Sequence, residues 1–159
     1  MSVDQLEFRR VMGHFATGVT VVTSHDGAGK LGGLTANSVA SVSLEPPLVL
    51  VCVDKKSDSY PLFGASQSFA INILANEQET LSRRFAKSGG DKFTGVAYRI
   101  GTTGCPILGD TIAFLDCNVR YTFEAGDHTI YVGEAVEIEV RSESDPLLYF
   151  RGGYRNLSA

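Results

Sequence analysis

Leu115-Asp116-Cys117-Asn118-Val119-Arg120-Tyr121-Thr122-Phe123-Glu124 alternates apolar and polar residues without a break. A period of two puts successive side chains on opposite faces of an extended chain, so this segment reads as a strand with one buried and one wet face. Val136, Ile138 and Val140 alternate with Glu137, Glu139 and Arg141 in the same way. Ala125-Gly126-Asp127-His128 supplies the turn between the two strands.

Outward from this pair, strands outnumber helices. Residues 19–24 (VTVVTS) are rich in β-branched side chains, as a strand prefers. Asp26-Gly27-Ala28-Gly29 turns the chain, which returns through residues 31–35. Residues 48–53 are continuously apolar after Pro46-Pro47 and read as a central strand covered on both faces; residues 69–74 (FAINIL) read as another. Two helices are legible. Phe8, Val11, Met12 and Phe15 share one face at i, i+3, i+4, i+7, in a helix that Gly18 ends. The second spans residues 76–85, with Asn76 as cap and Glu79 three residues on as its capping-box partner.

Many antiparallel strands with few helices predict a mainly β fold, an antiparallel barrel closed or nearly so, because closure removes exposed edges. An alternating βαβ plan is disfavoured. No GxGxxG follows a strand and opens a helix, so a dinucleotide would have to bind in another way than on a Rossmann turn.

The 159 residues fit a single domain over 1–159, and a 43% hydrophobic share is enough for a sizeable core. A formal net charge of −4 argues against nucleic acid as a partner, although a local basic cluster still suits a small anion. Cys52, Cys105 and Cys117 form no CxxC pair and read as reduced, buried thiols of a reducing compartment. Three histidines without ligand spacing speak against structural zinc. The N-terminus has no secretory pattern, and the longest apolar run, 47–53, is far too short to cross a bilayer; these point away from a membrane and toward the cytoplasm.

One run is more specific: Gly33-Leu34-Thr35-Ala36-Asn37-Ser38-Val39-Ala40-Ser41-Val42-Ser43, followed by Pro46-Pro47-Leu48-Val49. It resembles the signature of the flavin-reductase-like domain family, the small reductase components of two-component flavin monooxygenases. Phe15-Ala16-Thr17-Gly18-Val19, Phe69-Ala70-Ile71-Asn72-Ile73-Leu74, Asp91-Lys92-Phe93, Gly126-Asp127-His128 and Tyr149-Phe150-Arg151-Gly152-Gly153-Tyr154 match in order along nearly the whole chain. Each motif alone is weak; their ordered sum is specific. The resemblance implies an antiparallel split β-barrel, a homodimer with FMN or FAD held without a covalent link near its interface, and hydride transfer from NADH, or NADPH. It also implies a separate flavin-dependent monooxygenase that takes the reduced flavin.

The candidate site residues follow from these motifs. Thr35, Ala36, Asn37, Ser38 and Ser41 offer small polar groups and backbone N–H donors to the flavin pyrimidine edge, or simply turn the chain between strands. Cys52, Val53 and Asp54 end the following strand. Lys56, Ser57 and Ser59 in the loop beyond suit a flavin phosphate, or form a solvated loop tip. Phe85, Lys92 and Phe93 stand in a basic stretch with Arg83, Arg84 and Lys87 that suits a polyanionic ligand, or is the wet side of a helix. By resemblance, His128 meets the nicotinamide, and Tyr149, Arg151, Gly153 and Tyr154 complete that wall; read alone, His128 is a surface turn histidine. Two other readings stay open: an oxidase of a pyridoxine phosphate on a similar barrel, and a non-catalytic flavin-binding protein.

Overall fold

The computed structural model describes residues 2–157. Along them run α1 (Gln5–Met12), β1 (Thr17–Gly18), β2 (Thr20–His25), β3 (Leu31–Ala36), β4 (Val39–Ser43), β5 (Leu48–Asp54) and α2 (Tyr60–Ser66). Then come β6 (Ser68–Ile73), α3 (Glu79–Phe85), β7 (Tyr98–Ile100), β8 (Pro106–Leu108), β9 (Ala113–Ala125), β10 (His128–Val140), β11 (Leu148–Phe150) and β12 (Gly153–Arg155).

Seven strands form one antiparallel sheet in the order β3-β2-β6-β9-β10-β5-β4. Its outermost strands, β3 and β4, are consecutive in the chain and joined only by Asn37 and Ser38. Three peptide units span at most about 11 Å, so the sheet must curl until its two edges meet at that end. The result is an antiparallel barrel split along the β3/β4 seam. A three-stranded sheet, β1-β11-β12, and a β7-β8 ribbon lie outside it.

Val22, Val51, Phe63, Phe69, Ile71, Cys117 and Tyr131 fill one core. Val19, Val21, Leu74, Phe85, Leu108 and Leu147 fill a second. In β10, Gly133 is required by close packing: a Cβ there would stand 2.6 Å from Phe69 Cζ and 2.8 Å from Cys117 Cβ.

β9 and β10 form the hairpin that the alternation predicts, with Gly126 at φ 64° in its two-residue turn. The burial differs from the expectation. Cys117 is buried, but so is Asp116 on the polar face, while Tyr121 and Phe123 are 57% and 54% exposed and stack on each other. β6 pairs with β9 only as far as Asn118, and the rest of β9 runs on beyond it with β10 as its one neighbour, so alternation there marks a strand without marking its buried side. Asp116 is covered by the loop after β7. Its carboxylate accepts from Thr103 N–H at 2.8 Å and from the Thr103 hydroxyl.

Other expectations need correction. β5 is neither central nor doubly covered: it lies next to the edge strand, and its alternate residues Leu48, Leu50, Cys52 and Asp54 are half-exposed. The strands of this sheet buried on both faces are β2 and β6. The opening helix ends at Gly13 instead of Gly18, and its apolar residues Phe8, Val11, Met12 and Phe15 are all more than half exposed. Thr17 and Gly18 instead pair with Tyr149 and Leu148. α2, with Pro61 in its first turn, has no counterpart in the reading because its seven residues are too few for a periodic signal. Asn76 is not the helix cap. A 3-10 turn over Asn76–Gln78 precedes α3, Gln78 Oε1 accepts from Ala75 N–H at 2.9 Å, and Asn76 Oδ1 finds no partner.

Candidate active site

Phe8, Arg9 and Met12 of α1 and residues of β4, β5, β6 and β9 together bound a cleft of about 1000 Å³. That is at the upper end of the size range for small-molecule sites. One wall is the exposed apolar face of α1, with Phe8 and Met12, continued by Phe15 just beyond the helix; the opposite wall carries Asn37, Ser38, Leu50 and Cys52; Tyr149 and Gly152 also line the cleft. Among the described residues lining the cleft none is acidic, and Arg9 is the one cation.

The wall that holds Asn37 is built by the seam. Ser38 C=O accepts from Cys52 N–H at 3.1 Å, and Ser38 Oγ donates to Cys52 C=O at 3.0 Å, pinning the β3–β4 link onto β5. Asn37 is exposed, and its side-chain amide makes no hydrogen bond within the described residues, so it offers both a donor and an acceptor to the cleft. Burial raises the Cys52 thiol, which keeps it neutral, a wall and not a nucleophile. Thr17 Oγ1, at the cleft floor, is buried without a partner.

Beyond Cys52 the same face of β5 carries Asp54, about 7 Å further along. Asp54 pairs with His128, and Cys52 with Ile130. Cross-strand partners share a face, so His128 stands on the cleft's side of the sheet although it does not line the cleft. Its Nδ1 is 2.7 Å from Asp127 Oδ1, a contact that holds the Asp127 carboxyl below its ordinary range. The hairpin turn and the lysine loop are tied together: Lys55 N–H donates to Asp127 C=O at 3.0 Å, its Nζ to Gly126 C=O at 2.9 Å, and it pairs with Glu124. Asp54 Oδ1 accepts from the backbone N–H of Lys56 at 2.8 Å, and the exposed Lys56 ammonium has no hydrogen-bond or ion-pair partner among the described residues. Ser57 Oγ accepts from Ser59 N–H at 3.3 Å.

A second, smaller pocket of about 270 Å³ takes Ser59, Lys92 and Phe93. Here Ser59 is engaged internally: its hydroxyl accepts from Gly33 N–H at 2.9 Å and donates to Gly33 C=O at 3.0 Å. Lys92 Nζ also reaches Gly33 C=O at 3.2 Å, and burial lowers its pKa against the charge of Asp58.

Of the remaining candidates, Thr35 points away from the cleft and donates to Ser82 C=O at 2.6 Å. Ala36 is buried, with its carbonyl accepting from Thr20 Oγ1 at 2.7 Å. Ser41 is exposed on the edge strand β4, Val53 lies in the barrel core, and Phe85 packs edge-on against Phe93. Arg151 N–H donates to Gly13 C=O at 2.7 Å, Gly153 opens β12, and the Tyr154 hydroxyl meets Ser82 Oγ at 2.7 Å. The structure thus gathers Asn37, Ser38, Cys52 and Tyr149 around one cleft, with His128 and the Lys56 loop next along the same sheet face. Phe8, Arg9, Met12 and Thr17 went unnoticed as lining residues. The apolar period of α1 was visible, but it has the same form whether the face packs on a core or roofs a cleft.

The family model described as the flavin reductase like domain matches residues 12–158. This chain belongs to the flavin reductase like domain family. A flavin reductase of Pseudomonas putida is 40% identical over 158 residues, covering 99% of this chain and 93% of that one. The reductase subunit HsaB of a flavin-dependent monooxygenase from Rhodococcus jostii is 38% identical, covering 98% and 80%. A solved structure of the Streptomyces globisporus NADH:FAD oxidoreductase, in complex with NAD and FAD fragments, superposes with a TM-score of 0.92 at 38% identity, covering 98% of this reductase-like chain and 93% of that one.

The site fits flavin and dinucleotide on its own features. The cleft is largely apolar and free of carboxylates among its described lining residues, which suits flat rings carrying phosphates. The unpartnered Asn37 amide and the orphaned Thr17 hydroxyl leave polar groups for a ligand to satisfy.

Proposed function

We propose that this chain is an NAD(P)H-dependent flavin reductase, which reduces FMN or FAD and supplies the product to a separate flavin-dependent monooxygenase. The observation that carries the reading is the carboxylate-free cleft of about 1000 Å³ at the seam of a barrel that matches the flavin reductase family over residues 12–158.

When both are bound, the reduced nicotinamide gives a hydride and the flavin accepts it, chemistry that belongs to the cofactors. The chain's part is to hold two rings together and keep water out. Asn37 and Ser38 offer hydrogen bonds to a ring edge, while Tyr149 and the α1 face supply apolar walls. Lys56 and Ser57, one step beyond Cys52 and Asp54, present a free ammonium and a hydroxyl to a phosphate. His128, held by Asp127, orients the nicotinamide from the neighbouring strand.

The active unit is a homodimer. Tyr121 and Phe123 stand exposed near the turn of the β9–β10 hairpin, and Val136, Ile138 and Val140 stand exposed toward its opposite end. Apolar surface of this kind marks an interaction face, and a two-fold axis buries it twice. A reducing compartment such as the cytoplasm supplies the nicotinamide donor and suits three free thiols. Steady-state NADH consumption with FMN or FAD added in excess over the protein tests the activity. Sedimentation tests the dimer, which a stable and fully active monomer would exclude.

A further inference from the structure

Of the nine arginines, eight have an acceptor or an aromatic ring beside them among the described residues. Arg9 has neither. Its neighbour Arg10 is neutralised by Glu7 at 2.7 Å, one turn back on the other side of α1. Arg9 instead stands with Phe8 and Met12 on the side of the helix that roofs the cleft, exposed and unpaired.

The charge balance around it is unusual for this molecule. The chain carries a formal charge of −4, yet the described residues lining the cleft include no carboxylate and a single cation. In a site with low-dielectric walls, one uncompensated guanidinium dominates the local potential. Its planar fork suits paired phosphate oxygens. A nicotinamide dinucleotide combines a flat ring, which the apolar walls accommodate, with a doubly charged pyrophosphate.

We propose that Arg9 grips the pyrophosphate of the nicotinamide dinucleotide and so selects a dinucleotide over a bare nicotinamide as hydride donor. The proposal rests on the flavin reductase reading and assigns to α1 the part of the site that holds the donor's phosphates. Arg9 acts only by binding, so its removal weakens the donor's hold without altering the reacting atoms. A single cation facing one pyrophosphate also leaves none in the cleft for a further 2′-phosphate.

Two measurements test it on Arg9→Ala and Arg9→Lys, beside the unaltered protein. The first is calorimetric titration of flavin-free protein with ADP-ribose, which has the pyrophosphate and lacks the nicotinamide. Arg9→Ala should weaken its binding about 10- to 100-fold, the worth of a charge-assisted bidentate contact, and Arg9→Lys should restore part of it. The second is steady-state kinetics with NADH and with reduced N-benzylnicotinamide, a phosphate-free donor. The ratio of kcat/KM for NADH to that for the phosphate-free donor should fall by the same factor in Arg9→Ala, mostly through the KM for NADH. Equal losses with both donors, unchanged ADP-ribose affinity, or a change of oligomeric state in Arg9→Ala would each overturn the assignment. Failure of the unaltered protein to oxidise NADH with flavin present would instead overturn the reductase reading itself.

Discussion

Ser59→Ala separates a scaffold role from a ligand role at one hydroxyl. The family motif puts Ser59 among flavin-phosphate contacts, but the side chain is 4% exposed and both accepts from and donates to Gly33. Removing the hydroxyl leaves Gly33 C=O with Lys92 Nζ at 3.2 Å, so the carbonyl keeps a partner. Gly33 N–H loses the partner that ties α2 to β3. A buried donor left unsatisfied costs about 1–3 kcal/mol. At about 2–4 °C of Tm per kcal/mol for a domain of this size, the melt should fall by several degrees. Flavin affinity of the protein that remains folded should change little. The assay is a thermal melt beside a fluorescence titration with FMN. An unchanged Tm with weakened flavin binding would refute the reasoning, because the hydroxyl would then serve the ligand and not Gly33.

Asp116→Asn should make stability less sensitive to pH. Burial raises the Asp116 pKa above its unfolded value, so its favourable contribution is complete below the unfolded pKa and is lost as pH rises through the folded pKa. Asn does not ionise, and it can accept from Thr103 N–H through its oxygen and donate to the Thr103 hydroxyl through its amide, so urea titrations should show the variant gaining on the parent from pH 4 to pH 8; a constant difference would contradict this. Replacing Lys56 and Ser57 together by Ala should weaken flavin binding about 10-fold or more with the melt intact, since Lys56 has no internal partner; unchanged affinity would move the phosphate to the Lys92 pocket. His128→Ala should lower kcat/KM for NADH by about one to two decades and leave the Tm nearly unaltered, because the side chain is exposed and bonded only to Asp127. Normal kinetics in that variant would remove His128 from the site.

The strands were legible because their patterning is local. The alternation over 115–124, the β-branched run at 19–24 and FAINIL all became strands within a few residues of where they were read. What failed was the assignment of faces. Leu50 and Cys52 are apolar because they line a cleft, and Phe8 and Met12 because they roof it; an apolar residue carries no label for what will cover it. Asp116 reads as solvent-facing by period, and only the long-range contact with Thr103 makes it buried. The seam residues Asn37 and Ser38 were found through an ordered family motif, whereas Arg9 and Thr17 join the cleft only once the barrel has curled.

The most direct test is anaerobic mixing of this protein with FMN or FAD and NADH, following both the flavin's visible absorbance and the NADH. A flavin reductase bleaches the flavin in step with NADH consumption, one for one, over many more turnovers than there are protein molecules. Flavin that binds to the protein but keeps its colour while the NADH persists would contradict the reading and leave a non-catalytic flavin-binding barrel.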